Sequence, residues 1–287
     1  MKKQHTRIAI PFPLFAILLA SLLISGCLGS TNRRELAREI AENGSLRGEI
    51  IRTDLFNLLS YSRLARPDQP LTVYIEGDGQ AWINRHTRSK DPTPRIPVAL
   101  KLAVLDFAPN VAYLGRPCQF VQRDDRRNCR GEFWSQERFS EPVISATNQA
   151  IDQLKKRAQA TSIHLVGFSG GGAVAVLAAA QRSDVKSIRT LAGNLDHQAF
   201  TQFHGVSPLT GSWNPMDVVE KIKTIPQLHF SGSSDTTVPT SIAQSFIDAQ
   251  GKTGCAGLII QKKMDHNGEW EALWPELVEQ PLPNCGW

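Results

Sequence analysis

The stretch from Ser162 to Gln181, SIHLVGFSGGGAVAVLAAAQ, constrains this chain more than any other. Ile163-His164-Leu165-Val166 is apolar and β-branched, and an alanine-rich run begins at Ala173. A strand must therefore pass into a helix within Gly167-Phe168-Ser169-Gly170-Gly171, with a serine at the apex. Such a unit belongs to a sheet with helices packed on it. The rest of the sequence repeats the alternation. Strands are expected at Glu49–Ser60, Leu71–Glu76, Val111–Leu114, Ser162–Val166, Ser187–Ala192, Gln227–Ser231 and Leu258–Lys262. Helices are expected at Ile96–Leu105, Pro142–Gln159, Gly171–Gln181, Met216–Lys221, Ser241–Ala249 and Glu269–Val278. Alternating elements of this kind predict an α/β fold, with a mostly parallel sheet flanked by helices on both faces. The stretches 80–97 and 198–214 are irregular and follow strand ends, where a parallel sheet presents functional loops.

The apex pentapeptide fits G-x-S-x-G, the nucleophile elbow. Residues two before and two after the serine pack closely on such a turn, and glycine removes the side chains that would collide. The helix that follows points its N-terminal N–H groups and positive dipole end at the serine. The alternative is a phosphate-binding turn, but GFSGGGA has no Walker lysine and does not match G-x-G-x-x-G.

A reactive serine needs a base, and the base an orienting acid. In the hydrolase order Ser, acid, His, Asp235 falls in the turn GSSDTTVP after the strand at Gln227–Ser231. Only one histidine follows it, His266 in MDHNGEW, after the strand at Leu258–Lys262. Asp196 is the reserve acid. His164 and His229 lie within strands and are expected to pack or hydrogen-bond there. The second oxyanion donor should come from a turn after an early strand. That turn is Glu76-Gly77-Asp78, which assigns the hole to the backbone N–H groups of Asp78 and Gly170. A carboxylate beside an oxyanion must either point away or be paired, and Arg85 and Arg116 are the candidate partners.

These residues resemble the α/β-hydrolase superfamily over nearly all of the chain beyond its N-terminal segment. YIEGDGQAW, YLGRPCQ and GFSGGGA together are similar to a group of bacterial α/β-hydrolase lipoproteins. The resemblance implies a serine hydrolase with an α/β-hydrolase fold, but does not name a substrate. An ester or thioester is the expected bond, because a simple triad of Ser169, Asp235 and His266 suits good leaving groups. A peptidase or amidase on the same residues, or a non-catalytic envelope binding protein, are the alternatives. No cofactor or metal is expected, and no Cys/His cluster has metal spacing.

The N-terminus carries Lys2, Lys3 and Arg7 without an acid, then an apolar run to Ser25. This is the layout of a signal peptide over residues 1–26. Leu23-Ile24-Ser25-Gly26-Cys27 resembles a bacterial lipobox, with Cys27 the lipidated residue. Pro11, Pro13 and the short core argue against a transmembrane span, which needs about 20 apolar residues. Residues 27–47 read as a tether with a short helical patch at Glu35–Glu42, and 48–287 as the α/β-hydrolase domain. The expected location is the cell envelope, lipid-anchored at the outer membrane and facing the periplasm. Loss of Lys2, Lys3 and Arg7 lowers the formal charge from +5 to +2. The remainder has no basic stripe, so nucleic acid is not an expected partner. The expected partners are a small or lipid-like acyl substrate and a membrane. Cys118, Cys129, Cys255 and Cys285 are an even set in an exported chain and are expected to form disulfides. Three pairings exist, of which Cys118–Cys129 with Cys255–Cys285 is preferred.

Overall fold

The computed structural model describes residues 32–251 and 255–285. The expected signal peptide and the anchor Cys27 lie outside them. Eight strands form one sheet in the order β1 (Arg47–Arg52), β2 (Asn57–Leu64), β6 (Asn110–Leu114), β3 (Leu71–Ile75), β7 (Ile163–Phe168), β8 (Val185–Leu191), β9 (Gln227–Gly232) and β10 (Ala256–Gln261). The pairings β1/β2 and β2/β6 are antiparallel, and the other five are parallel. A small hairpin, β4 (Trp82–Asn84) with β5 (Thr87–Arg88), stands apart from the sheet.

Strand side chains alternate between faces, and each face has its own helical cover. Leu71, Val73 and Ile75 of β3 point to one side, as do Ile163 and Leu165 of β7. There they meet α3 (Glu141–Ala158), α4 (Gly170–Ala179), α6 (Val219–Ile222) and α7 (Thr240–Ala249). Tyr74, Val166 and Phe168 point to the other side. There they meet α2 (Val98–Val104), α8 (Trp270–Leu277) and the helix at 32–43, α1. All ten residues of α4 are buried, which explains its alanines: a helix enclosed on all sides must be thin. On the second face Trp274 donates to the Tyr74 hydroxyl at 3.1 Å, and that hydroxyl donates to Asp106 at 2.7 Å. The buried polar tips are therefore paired, as burial requires.

Three expectations need correction. The single strand expected at Glu49–Ser60 is two strands, reversed at residues 53–56. Thr53 N donates to Phe56 O at 2.9 Å, and Phe56 N donates to the Thr53 hydroxyl at 3.1 Å. Apolar alternation runs through the turn, with Ile51 facing Leu58, so the pattern hid the reversal. The expected tether is largely packed structure. Ala37, Ala41 and Leu46 are fully buried against the second face. Two alanines among Glu35, Arg38, Glu39 and Glu42 form an inconspicuous apolar stripe. Finally, the stretch 198–214 is not irregular throughout, because α5 occupies His197–His204.

The cysteines pair as preferred from the sequence. Cys118–Cys129 and Cys255–Cys285 are at disulfide distance, with Cα–Cα separations of 5.6 and 5.1 Å. The second pair ties the C-terminal tail to the start of β10.

Candidate active site

Ser169 sits between β7 and α4 at φ 52°, ψ −122°, a region that L-residues rarely enter. The backbone holds it there. Ser169 N donates to Leu191 O at 2.9 Å, while Ser169 O accepts from Gly172 N at 2.9 Å and Asn194 N at 3.0 Å. The flanking glycines are required by space. A Cβ on Gly167 would lie 2.3 Å from Gly171 O, and one on Gly170 would lie 2.1 Å from Asp78 Oδ1.

The three residues selected by chain order meet. His266 Nε2 lies 3.0 Å from Ser169 Oγ, and His266 Nδ1 lies 2.8 Å from Asp235 Oδ2. The other carboxylate oxygen of Asp235 accepts from Thr237 N and Val238 N, each at 2.8 Å. Asp235 is thus locked in the turn after β9, with no freedom to leave the imidazole. His266 is held from behind as well, since Trp270 Nε1 donates to its carbonyl at 3.1 Å and the Phe168 ring lies 5.3 Å away, centroid to centroid. The reserve acid takes another part. Asp196 caps α5, accepting from Gln198 N at 3.0 Å and Ala199 N at 3.2 Å. His164 and His229 bond within the sheet as expected, to Ser187 Oγ at 2.7 Å and Thr190 Oγ1 at 2.8 Å. Burial pushes His229 down to about 3, so it is neutral at working pH.

The turn after β3 borders Ser169, and Gly77 and Asp78 line the same cleft. Gly170 opens α4, so its N–H has no intrahelical acceptor. The Asp78 carboxylate is paired, but with one partner that differs from expectation. Arg116 donates to Oδ1 at 3.2 Å and Arg138 to Oδ2 at 2.8 Å. Arg85 instead donates to His204 O at 3.2 Å. Burial pushes the Asp78 carboxyl up, but the Arg138 and Arg116 guanidiniums outweigh it and hold it below the usual range. Two buried cations around one carboxylate leave a surplus positive charge next to the turn, which disposes the site towards a developing anion. Arg138 escaped the sequence reading. It lies sixty residues from Asp78, just before α3, and only the folded path brings it there.

Glu76, immediately before this turn, is fully buried. Its Oε1 accepts from Gly77 N at 2.9 Å and Ala99 N at 3.4 Å, while Oε2 has no hydrogen-bond partner. Burial pushes it from the usual 4.5 up to about 7. The folded chain therefore holds this proton where the unfolded chain has released it. The stabilisation is fully present below pH 4.5 and is lost as pH rises through about 7. The raised value corresponds to about 3 kcal/mol. Glu76→Gln should remove this slope, so the variant's stability relative to the parent should rise steadily from pH 4.5 to 7. Urea unfolding across that range tests it, and a parallel pair of stability curves would contradict it.

A cleft of about 660 Å³ opens over Ser169 and His266. Part of its wall comes from the stretch 80–97, through Trp82, Ile83, Arg95 and Ile96. A second cleft of about 700 Å³ shares Trp82, Arg138, Phe200 and Thr237 with it and continues past Arg85 and His204. Among the described residues, no three His, Cys, Asp or Glu side chains are grouped as metal ligands would be.

A mostly parallel sheet with a serine on a strained strand–helix turn defines an α/β-hydrolase. Over residues 118–268 the sequence matches the serine hydrolase (FSH1) family model, and the chain belongs to that family. No curated protein matches it. Among solved structures, Est1E from Butyrivibrio proteoclasticus is 17% identical with a TM-score of 0.56, over 80% of this chain and 95% of that one. A Mycobacterium tuberculosis puromycin-hydrolyzing peptidase is 15% identical with a TM-score of 0.61, over 82% of this chain but only 38% of the peptidase. A Pyrococcus furiosus esterase is 13% identical with a TM-score of 0.57, over 83% and 92%. These likenesses are of fold.

Proposed function

We propose that this serine hydrolase cleaves an ester or thioester through a Ser169–His266–Asp235 triad and an acyl-enzyme. The observation that carries the reading is the unbroken hydrogen-bonded line from Ser169 Oγ through both nitrogens of His266 to Asp235. Ser169 Oγ attacks the acyl carbonyl while His266 Nε2 takes its proton. Asp235 keeps His266 in the required tautomer and stabilises the imidazolium. The N–H groups of Asp78 and Gly170 hold the oxyanion, aided by the surplus charge of Arg116 and Arg138. The imidazolium returns its proton to the leaving alcohol or thiol as the acyl–oxygen or acyl–sulfur bond breaks. Water, deprotonated by His266, then attacks the acyl-enzyme, and the acid leaves as Ser169 regains its proton.

Cys27 is proposed as the lipid anchor of an envelope enzyme, on the strength of the apolar run and the LISGC sequence before it. No described helix is long and apolar enough to cross a membrane.

The leaving group is tested by a panel of a short p-nitrophenyl ester, an acyl thioester and a peptide p-nitroanilide. The ester and thioester should turn over fastest. Preference for the anilide would move the assignment to a peptidase or amidase, and inertness to all three would favour a binding protein.

A further inference from the structure

The stretch 80–97 does more than wall the cleft. It exposes Trp82 by 44%, Ile83 by 60% and Ile96 by 54%, three large apolar side chains at the mouth above Ser169. It also carries Arg85, Arg88, Lys90 and Arg95 against a single acid, Asp91. Asp91 is engaged by Arg126 at 2.8 Å, and Arg88 by Glu132 at 3.0 Å. Exposed tryptophan and isoleucine among basic residues suit an interface whose interior is hydrocarbon and whose surface is anionic.

The path of α1 adds a geometric argument. Arg33, in its first turn, donates to Thr93 O at 2.9 Å. Gly44, just past its end, accepts from Arg63 at 3.0 Å, beside the start of β6. The helix therefore runs from the catalytic rim down to the opposite edge of the sheet, with its first turn at the rim. Cys27 lies five residues before Asn32, a reach of at most about 18 Å. A lipid on Cys27 would thus keep the first turn of α1, and with it this rim, within about 18 Å of the bilayer.

We propose that the stretch 80–97 is a membrane-docking surface, which seats Trp82, Ile83 and Ile96 in an anionic lipid surface and opens the Ser169 cleft towards acyl esters within that bilayer. The proposal rests on the reading of Cys27 as anchor and of Ser169 as nucleophile. The test uses the full chain purified from bacterial membranes and reconstituted into phosphatidylethanolamine–phosphatidylglycerol vesicles. An environment-sensitive fluorophore is attached through Ile83→Cys in one sample and Phe107→Cys in another. Phe107 is 92% exposed but precedes β6, at the opposite edge of the sheet. The unsubstituted chain, treated in parallel, reports any label taken up elsewhere. The label at position 83 should be blue-shifted and quenched by brominated acyl chains, more so than in phosphatidylcholine alone, while that at 107 stays in water. A label at 83 that remains in water, or equal quenching at both positions, overturns the proposal. The mass of the Cys27 peptide separates the two readings. An unmodified Cys27 with position 83 in lipid overturns the anchor and sustains the docking surface. Fluorescence does not depend on turnover, so loss of the hydrolase reading would leave this result standing.

Discussion

Ser169→Ala is expected to lower turnover of a short p-nitrophenyl ester by about 10⁴- to 10⁶-fold, as removal of a triad nucleophile does. The side chain contributes little to the fold, because backbone bonds from Leu191, Gly172 and Asn194 hold the turn. The exchange removes one oxygen from a half-buried position, so thermal unfolding should stay near that of the parent. The remaining rate should reflect the oxyanion donors and substrate binding, which survive the substitution. A variant that keeps its fold and its activity would place the chemistry elsewhere in the cleft.

The second large effect concerns Asp235. Asp235→Asn should reduce kcat by about 10³- to 10⁴-fold with little change in KM. The carboxylate is fully enclosed and makes three bonds, two to backbone N–H groups and one to His266 Nδ1. An asparagine oxygen can keep the backbone pair. Its amide then faces Nδ1 as a donor, which forces the proton onto Nε2 and leaves Ser169 without a base. Loss through KM alone, with kcat preserved, would mean that Asp235 shapes the cleft and does not orient the imidazole. Asp196 offers no substitute, because it is committed to capping α5 and to Asn214 at 3.0 Å.

Much of this site could be read from the chain because each of its parts is local. The elbow announces itself by glycine spacing between a β-branched strand and an alanine-rich helix. Asp235 and His266 each follow a strand, and a parallel sheet delivers strand ends to one edge. Disulfides were legible from an even cysteine count, and the pairing without nesting was the preferred one of three. What stayed hidden depends on paths through space. Arg138 reaches Asp78 from the segment preceding α3. The β1–β2 reversal is invisible to alternation that continues through it. The membership of α1 in the core rests on two alanines that carry little hydrophobic signal. α5 was missed within a polar stretch, although Asp196 at its cap was in plain view: as a cap it satisfies two backbone N–H groups, and as an acid after a strand it also resembled a catalytic partner.

The central claim is that Ser169 is a nucleophile activated by His266, and one measurement addresses it most directly. The purified chain is treated with a fluorophosphonate, and the modified residue is located by peptide mass analysis. The expected result is a single phosphonylated serine, at position 169, whose labelling disappears in His266→Ala. Labelling of another residue, or undiminished labelling of Ser169 without the imidazole, would contradict it.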